Sequence, residues 1–87
     1  MAEELNESEV IGKITHYFPK IGVAVIELTG TLALGDTIHI KGATTDFTQE
    51  ITSMQIEHKE VEEALSGQSI GLKVNEPCRE HDIVYRL

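Results

Sequence analysis

Tryptophan is absent from this 87-residue sequence, which holds one cysteine, two prolines and four aromatic residues. A single cysteine, Cys78, cannot form an internal disulfide, so the hydrophobic core must hold the fold together. An unpaired thiol is typical of a reducing, cytoplasmic setting. No apolar run approaches the roughly 18 residues of a membrane span, and the first residues lack the basic and apolar regions of a signal peptide. We therefore predict a cytoplasmic protein without a membrane partner.

Basic residues are also few, since 7 Lys and Arg stand against 15 Asp and Glu, for a net charge of −8. This balance argues against avid nonspecific binding of nucleic acid, which needs clustered Lys and Arg, but it permits one local basic face. The length allows a single domain. Residues 1–9 are polar and acidic, so we predict a flexible tail there, with a short helix as the alternative, and one domain over residues 10–87.

Along that domain, apolar and polar residues alternate with a period of two, as in half-buried strands. Turns rich in Gly, Asp and Pro separate six such segments. The predicted strands are Val10–Phe18, Val23–Leu28, Thr37–Lys41, Phe47–His58, Ser69–Val74 and Asp82–Leu87. The connections are too short for parallel crossovers, so pairing should be mostly antiparallel. Because closure removes exposed edges, we predict an all-β fold, a closed six-stranded barrel.

Three places depart from simple alternation. Phe47 and Ile51 have the opposite parity to Met54 and Ile56, which predicts a β-bulge near residues 52–53. Residues 59–65 form the one stretch with helical spacing, enough for a helical turn. Gly71 lies inside a predicted strand, where a glycine suits a tight bend or the close approach of another backbone.

Several motifs follow one another in an order known from one family. They are Leu32, the Gly35-Asp36 turn, the Ile-rich strand over residues 51–56, and then Ala64, Gly67, Ile70 and Gly71. This pattern resembles domain 2 of translational GTPases such as elongation factor Tu, and the resemblance covers about residues 10–87. It implies a barrel of the translation-factor domain 2 type. Similar barrels also occur as appended domains, including in peptidase-like RNA-modifying enzymes, where they act in cis.

The resemblance implies a binding module that contacts RNA or a ribosome-associated protein. The chain lacks the Gly-x-x-x-x-Gly-Lys-Ser/Thr string that cradles phosphates, so we expect neither nucleotide binding nor GTP hydrolysis. We expect no enzyme activity and no cofactor. The alternative is a protein-interaction or assembly module unrelated to translation, and whether the chain is a monomer or a homodimer stays open.

The best candidates for partner contact lie near the first hairpin. Phe18 is predicted to point into the core, which would leave Tyr17 exposed beside lysines. An exposed aromatic ring with lysines is what a nucleic-acid or peptide contact uses. The lysines of later strands also have outward parity. The predicted contact residues are Lys13, Tyr17, Lys20, Lys41 and Lys73.

Two clusters could carry chemistry, and both have a simpler interpretation. Cys78 and His81 have the spacing of half a zinc site, but a structural site needs four ligands and no second pair is present, so we predict a surface loop. Four acidic residues between positions 57 and 63 could pair as acid and base, but a solvated turn explains them better. We therefore predict no catalytic residue and no metal ligand.

Overall fold

The computed structural model describes residues 9–87, and the regular elements in this range are all β-strands. They are β1 (Glu9–Phe18), β2 (Val23–Leu28), β3 (Leu32–Ala33), β4 (Thr37–Lys41), β5 (Asp46–Glu50), β6 (Met54–Ile56), β7 (Lys59–Val61), β8 (Glu63–Ala64), β9 (Ser69–Lys73) and β10 (Ile83–Arg86). The all-β class is confirmed. The predicted helical turn at 59–65 is wrong, since β7 and β8 occupy it. No helix in the described range has the length and apolar character to cross a membrane.

Eight strands form one antiparallel sheet in the order β5-β4-β10-β1-β2-β9-β6-β7, and β3 pairs separately with β8. The large sheet curls into a half-barrel. The prediction of a closed six-stranded barrel is wrong. The predicted fourth strand, Phe47–His58, is interrupted at residues 51–53. Its first part, β5, pairs with β4, whereas β6 pairs with β9 and β7. This break leaves β5 and β7 as the two edges of the sheet.

Strand β1 contains two register shifts that the alternation pattern did not reveal. One lies between Val10 and Gly12 against β10, and the other between Ile14 and His16 against β2. An extra residue on one strand moves every later side chain to the opposite face. As a result Val10 is 50% exposed, and Tyr17 pairs with the buried Ala24.

The core is built almost entirely from aliphatic side chains on the inner face of the curled sheet. The alternation predicted for the segments Thr37–Lys41 and Ser69–Val74 is confirmed, since their apolar members Ile38, Ile40, Ile70 and Leu72 point inward and are at most 2% exposed. Burying each such side chain contributes about 1.5–3 kcal/mol. This interior is filled by protein, so a binding site must lie on the outer face or at an edge.

The open side of the half-barrel is bridged by one buried amide. Gln49 on edge strand β5 donates from Nε2 to the Lys73 carbonyl at 3.0 Å and accepts from the Asn75 N–H at 2.8 Å. Gln49 is only 8% exposed. A side chain thus takes the place of strand pairing between β5 and the end of β9.

Candidate functional site

A mainly apolar trough runs along the outer face of β2 and β9, between the β1–β2 turn and the β6–β7 turn, with a volume of about 490 Å³. Val23, Val25 and Gly71 form its floor, and this set with its two flanking turns is called the β2–β9 trough below. Phe18 and Ile21 border it on the β1–β2 side and are 43% and 60% exposed. The volume lies within the roughly 300–1,000 Å³ typical of ligand sites.

The depth of the trough comes from Gly71, which pairs with Val25 on one side and Gln55 on the other. A Cβ built on Gly71 would come no closer than 3.8 Å to the nearest atom, a methyl carbon of Val23. Neither packing nor a positive φ therefore requires glycine here. What glycine provides is open space on the sheet surface, as expected where a ligand approaches a strand closely.

On the β6 side, the trough is bordered by the two-residue turn between β6 and β7. Glu57 and His58 both adopt positive φ angles, of 53° and 68°. Two successive positive φ values in a two-residue hairpin loop define a type I′ turn, in which Asn-Gly is favoured. Side chains larger than glycine carry strain in this conformation, and such strain concentrates at functional sites. The turn thus places a carboxylate and an imidazole beside an apolar floor.

The opposite end of the trough carries a cation. Lys73 lines an adjoining cavity of about 200 Å³ that shares Val23, Gln55 and Gly71 with the trough. Ser69, Gly71 and Lys73 stand at alternate positions of β9 and so face the same side of the sheet. Because β6 and β9 are antiparallel, the chain runs from Gln55, the partner of Gly71, toward the Ser69 end of β9, where Glu57 in the following turn lines the trough. The trough is therefore basic at one end and acidic at the other.

Phe18 is held in place by neighbours on its own strand and beyond. Its ring lies 4.3 Å from the His16 ring, centroid to centroid, at an angle of 57°. His16 Nδ1 in turn lies 3.3 Å from a carboxylate oxygen of Glu80. These contacts orient an exposed aromatic ring at the border of the trough.

The orientations predicted for Phe18 and Tyr17 are reversed in the structure. Tyr17 is half-buried and packs against the core, whereas Phe18 is exposed. The cause is the register shift between Ile14 and His16, after which the parity of β1 changes.

The four predicted lysines divide into separate groups. Lys13 and Lys41 flank Ile83 in one cross-strand row, which ends in the acidic Glu27 and Asp46. Lys73 lies in a different row, opposite Val23. Lys20 lies in the β1–β2 turn. The lysines therefore do not line one continuous wall, and partner contact by Lys13, Tyr17, Lys20, Lys41 and Lys73 stays a prediction.

The segment of Cys78 and His81 is not the simple surface loop that its spacing suggested. Cys78 is a core residue, 4% exposed, and burial together with the nearby Asp82 carboxylate raises its thiol pKa to about 11. A thiol that keeps its proton is a poor nucleophile and metal ligand. Within residues 9–87, no group of three or more His, Cys, Asp and Glu side chains is arranged to hold a metal ion.

Sequence reasoning missed the trough as a site. Gly71, a glycine inside a predicted strand, was the one feature of the sequence that indicated this site. The Glu57-His58 turn lacks the Asn or Gly that usually marks a type I′ turn, so the sequence did not predict it. Phe18 was hidden by the unpredicted bulge in β1.

Comparison with known proteins gives relatives among proteases. An uncharacterized protease of Methanocaldococcus jannaschii is 47% identical over 78 residues, which cover 88% of this chain and 19% of that protein. Two collagenase sequences of Porphyromonas gingivalis are 40% identical over 78 residues, covering 87% of this chain and 22% and 19% of theirs. The chain thus spans about a fifth of the length of the curated relatives it matches. No protein-family model matches it.

Solved structures agree in fold. The C-terminal domain of a Geobacillus thermoleovorans protein assigned to the U32 peptidases superposes with a TM-score of 0.85, at 24% identity, over 91% of this chain and 92% of that domain. Its selenomethionine variant superposes with the same TM-score at 25% identity, over 88% of this chain and 98% of that domain.

These findings overturn three predictions made from the translation-factor resemblance. The relatives are named as proteases and collagenases, and the matching structures are domains of a U32-type peptidase rather than domain 2 of elongation factor Tu. The predicted function, a translation-related binding module, is therefore wrong. The expectation of no enzyme activity is contradicted as well, because the relatives are named as a protease and as collagenases. The motifs behind the resemblance are turn and core residues, which report a barrel-like architecture rather than an activity.

Proposed function

We propose that this chain acts as the C-terminal domain of a U32-type peptidase and takes part in the cleavage of polypeptides. The observation that carries the proposal is the match of 47% identity over 88% of the chain to a segment of the Methanocaldococcus jannaschii protease. The superposition on 98% of a solved C-terminal domain supports the same assignment. The unpaired, buried Cys78 supports a reducing, cytoplasmic setting for this activity.

The part assigned to this domain is to hold polypeptide for cleavage. The β2–β9 trough offers an apolar floor with the side chains of Gln55 and Ser69 at its border. Within residues 9–87 neither of these side chains makes a hydrogen bond, so both are available to peptide N–H and C=O groups. A polypeptide segment presents these groups together with apolar side chains, and the trough suits both.

A domain exchange tests the proposal. In the Porphyromonas gingivalis collagenase, the matching 78-residue segment is replaced by this chain, and cleavage of collagen is compared with that of the intact enzyme and of a form lacking the segment. We expect deletion to lower kcat/KM by about tenfold or more and the exchange to restore most of the loss. An exchanged enzyme that folds but cleaves no faster than the deleted form would overturn the proposal.

A further inference from the structure

Three chemically different positions follow one another in a line along the outer face of β9. Lys73, Gly71 and Ser69 are two residues apart in sequence, and Glu57 lines the trough together with Ser69. At about 3.3 Å per residue, the line from Lys73 to Ser69 is about 13 Å long. An extended peptide has the same repeat, so its side chains at i, i+2 and i+4 would fall on the same three positions.

The central position is apolar and empty of side chains. Gly71 leaves the space between Val23, Val25 and the exposed Ile21 open. An aliphatic side chain placed there would remove apolar surface from water, which favours binding. The middle residue of a bound segment should therefore be a large apolar one.

The two ends carry opposite charges. Neither Lys73 nor Glu57 makes an ion pair within residues 9–87, and both side chains are exposed at their ends of the trough. Charged groups of this kind select and orient partners more than they add affinity. A complementary ligand places a carboxylate near Lys73 and an ammonium or guanidinium group near Glu57.

We propose that the β2–β9 trough binds an extended polypeptide segment of the pattern acidic-x-apolar-x-basic. The apolar side chain lies over Gly71, the acidic one beside Lys73 and the basic one beside Glu57. This inference rests on the proposed function and names the class of polypeptide that the domain holds. The strained Glu57-His58 turn is explained by the same role, because it presents the carboxylate at the end of the trough.

The test is an NMR titration of the full ¹⁵N-labelled chain with the synthetic peptide Gly-Glu-Ser-Leu-Ser-Lys-Gly, capped at both ends. We expect saturable shifts of the Gly71, Val25 and Ser69 amides. A peptide of the same composition with its lysine moved one position toward the leucine is the matched control, and it should bind several-fold more weakly. Absence of saturable shifts, or equal affinity for the two peptides, would overturn the proposal.

Variants of the chain locate the site. Gly71→Val places a branched side chain on the floor, where a Cβ would meet no atom closer than 3.8 Å. It should weaken binding about tenfold or more, which corresponds to about 1.4 kcal/mol, and urea denaturation checks that the variant is folded. Ile21→Ser should also weaken binding. Leu65→Ser, at a leucine outside the trough that is 53% exposed against 60% for Ile21, should not. Equal effects of the two serine variants would contradict the assignment.

A charge variant tests the acidic end. Glu57→Gln should remove the preference for lysine at the fifth position of the pattern over glutamate there, while leaving the contribution of the leucine unchanged. Binding is measured on this chain alone, whereas the domain exchange measures collagen cleavage. A failed exchange with intact binding would reject the peptidase role only, and a successful exchange without binding would reject the trough only.

Discussion

The side-chain amide of Gln49 accepts a hydrogen bond from the backbone N–H of Asn75 at 2.8 Å, across the open side of the curled sheet. The same amide donates to the Lys73 carbonyl at 3.0 Å. Two backbone groups at the end of β9 thus depend on one buried side chain of β5. Since Lys73 also ends the β2–β9 trough, this bridge fixes the end of the proposed site.

Replacing Gln49 should open the bridge. Gln49→Ala removes both hydrogen bonds and leaves two backbone groups without a partner, so we expect the free energy of unfolding to fall by about 2–3 kcal/mol. Urea denaturation measures this change. Gln55→Ala is the matched control, because Gln55 is exposed, and it should cost less than about 0.5 kcal/mol. Similar losses in both variants would contradict the structural role of Gln49.

Gly42 should tolerate no side chain because of Asp82. A Cβ on Gly42 would lie 2.6 Å from Asp82 Cγ, and Asp82 is a buried residue, 5% exposed, whose carboxylate accepts from the Arg79 N–H at 2.8 Å. We expect Gly42→Ala to lower the free energy of unfolding by about 1–3 kcal/mol, as overpacking does.

Two further variants test whether a clash with Asp82 causes this loss of stability. Gly71→Ala, for which space exists, should be nearly neutral. In an Asp82→Ala background the added cost of Gly42→Ala should shrink, because neighbouring sites couple through the contact they share. Purely additive effects of the two substitutions would show that the clash is not with Asp82.

Cys78 should make stability depend on pH in alkaline solution. Burial, together with the Asp82 carboxylate, raises its pKa from 9.0 to about 11. The folded state therefore keeps the proton when the unfolded state has already lost it. The stabilisation is complete below about pH 9 and is lost as pH rises toward about 11.

The measurement compares urea denaturation of the protein and of Cys78→Ala between about pH 8, below the unfolded pKa of 9.0, and about pH 11, the pKa of the folded state. The substitution removes the titrating group, so the difference in unfolding free energy between the two proteins should shrink as pH rises through this window. A difference that stays constant would show that the thiol pKa is not raised in the folded state.

Much of the local structure follows from the sequence alone. Strands Val23–Leu28 and Thr37–Lys41 have the predicted bounds, because short segments rich in β-branched residues between Gly-containing turns favour strands. The inward faces of β4 and β9 follow from the same period of two, whereas the helical spacing at residues 59–65 predicted a helical turn where the structure has β7 and β8. Gly71 was visible as a glycine inside a strand, although its role was not.

The tertiary structure decided the features that depend on contacts between residues distant in sequence. A bulge depends on which partner strand is adjacent, so the two register shifts in β1 and the resulting exposure of Phe18 could not be read from alternation. The break at residues 51–53 directs β5 and β6 to different neighbours and leaves the sheet open rather than closed. The β2–β9 trough exists only because Phe18, Gly71 and Glu57, far apart in sequence, are brought to one face by long-range pairing. The composition and the two-residue alternation of apolar and polar residues determined the strands. Strand pairing determined the site, because pairing depends on contacts between residues that are far apart in sequence.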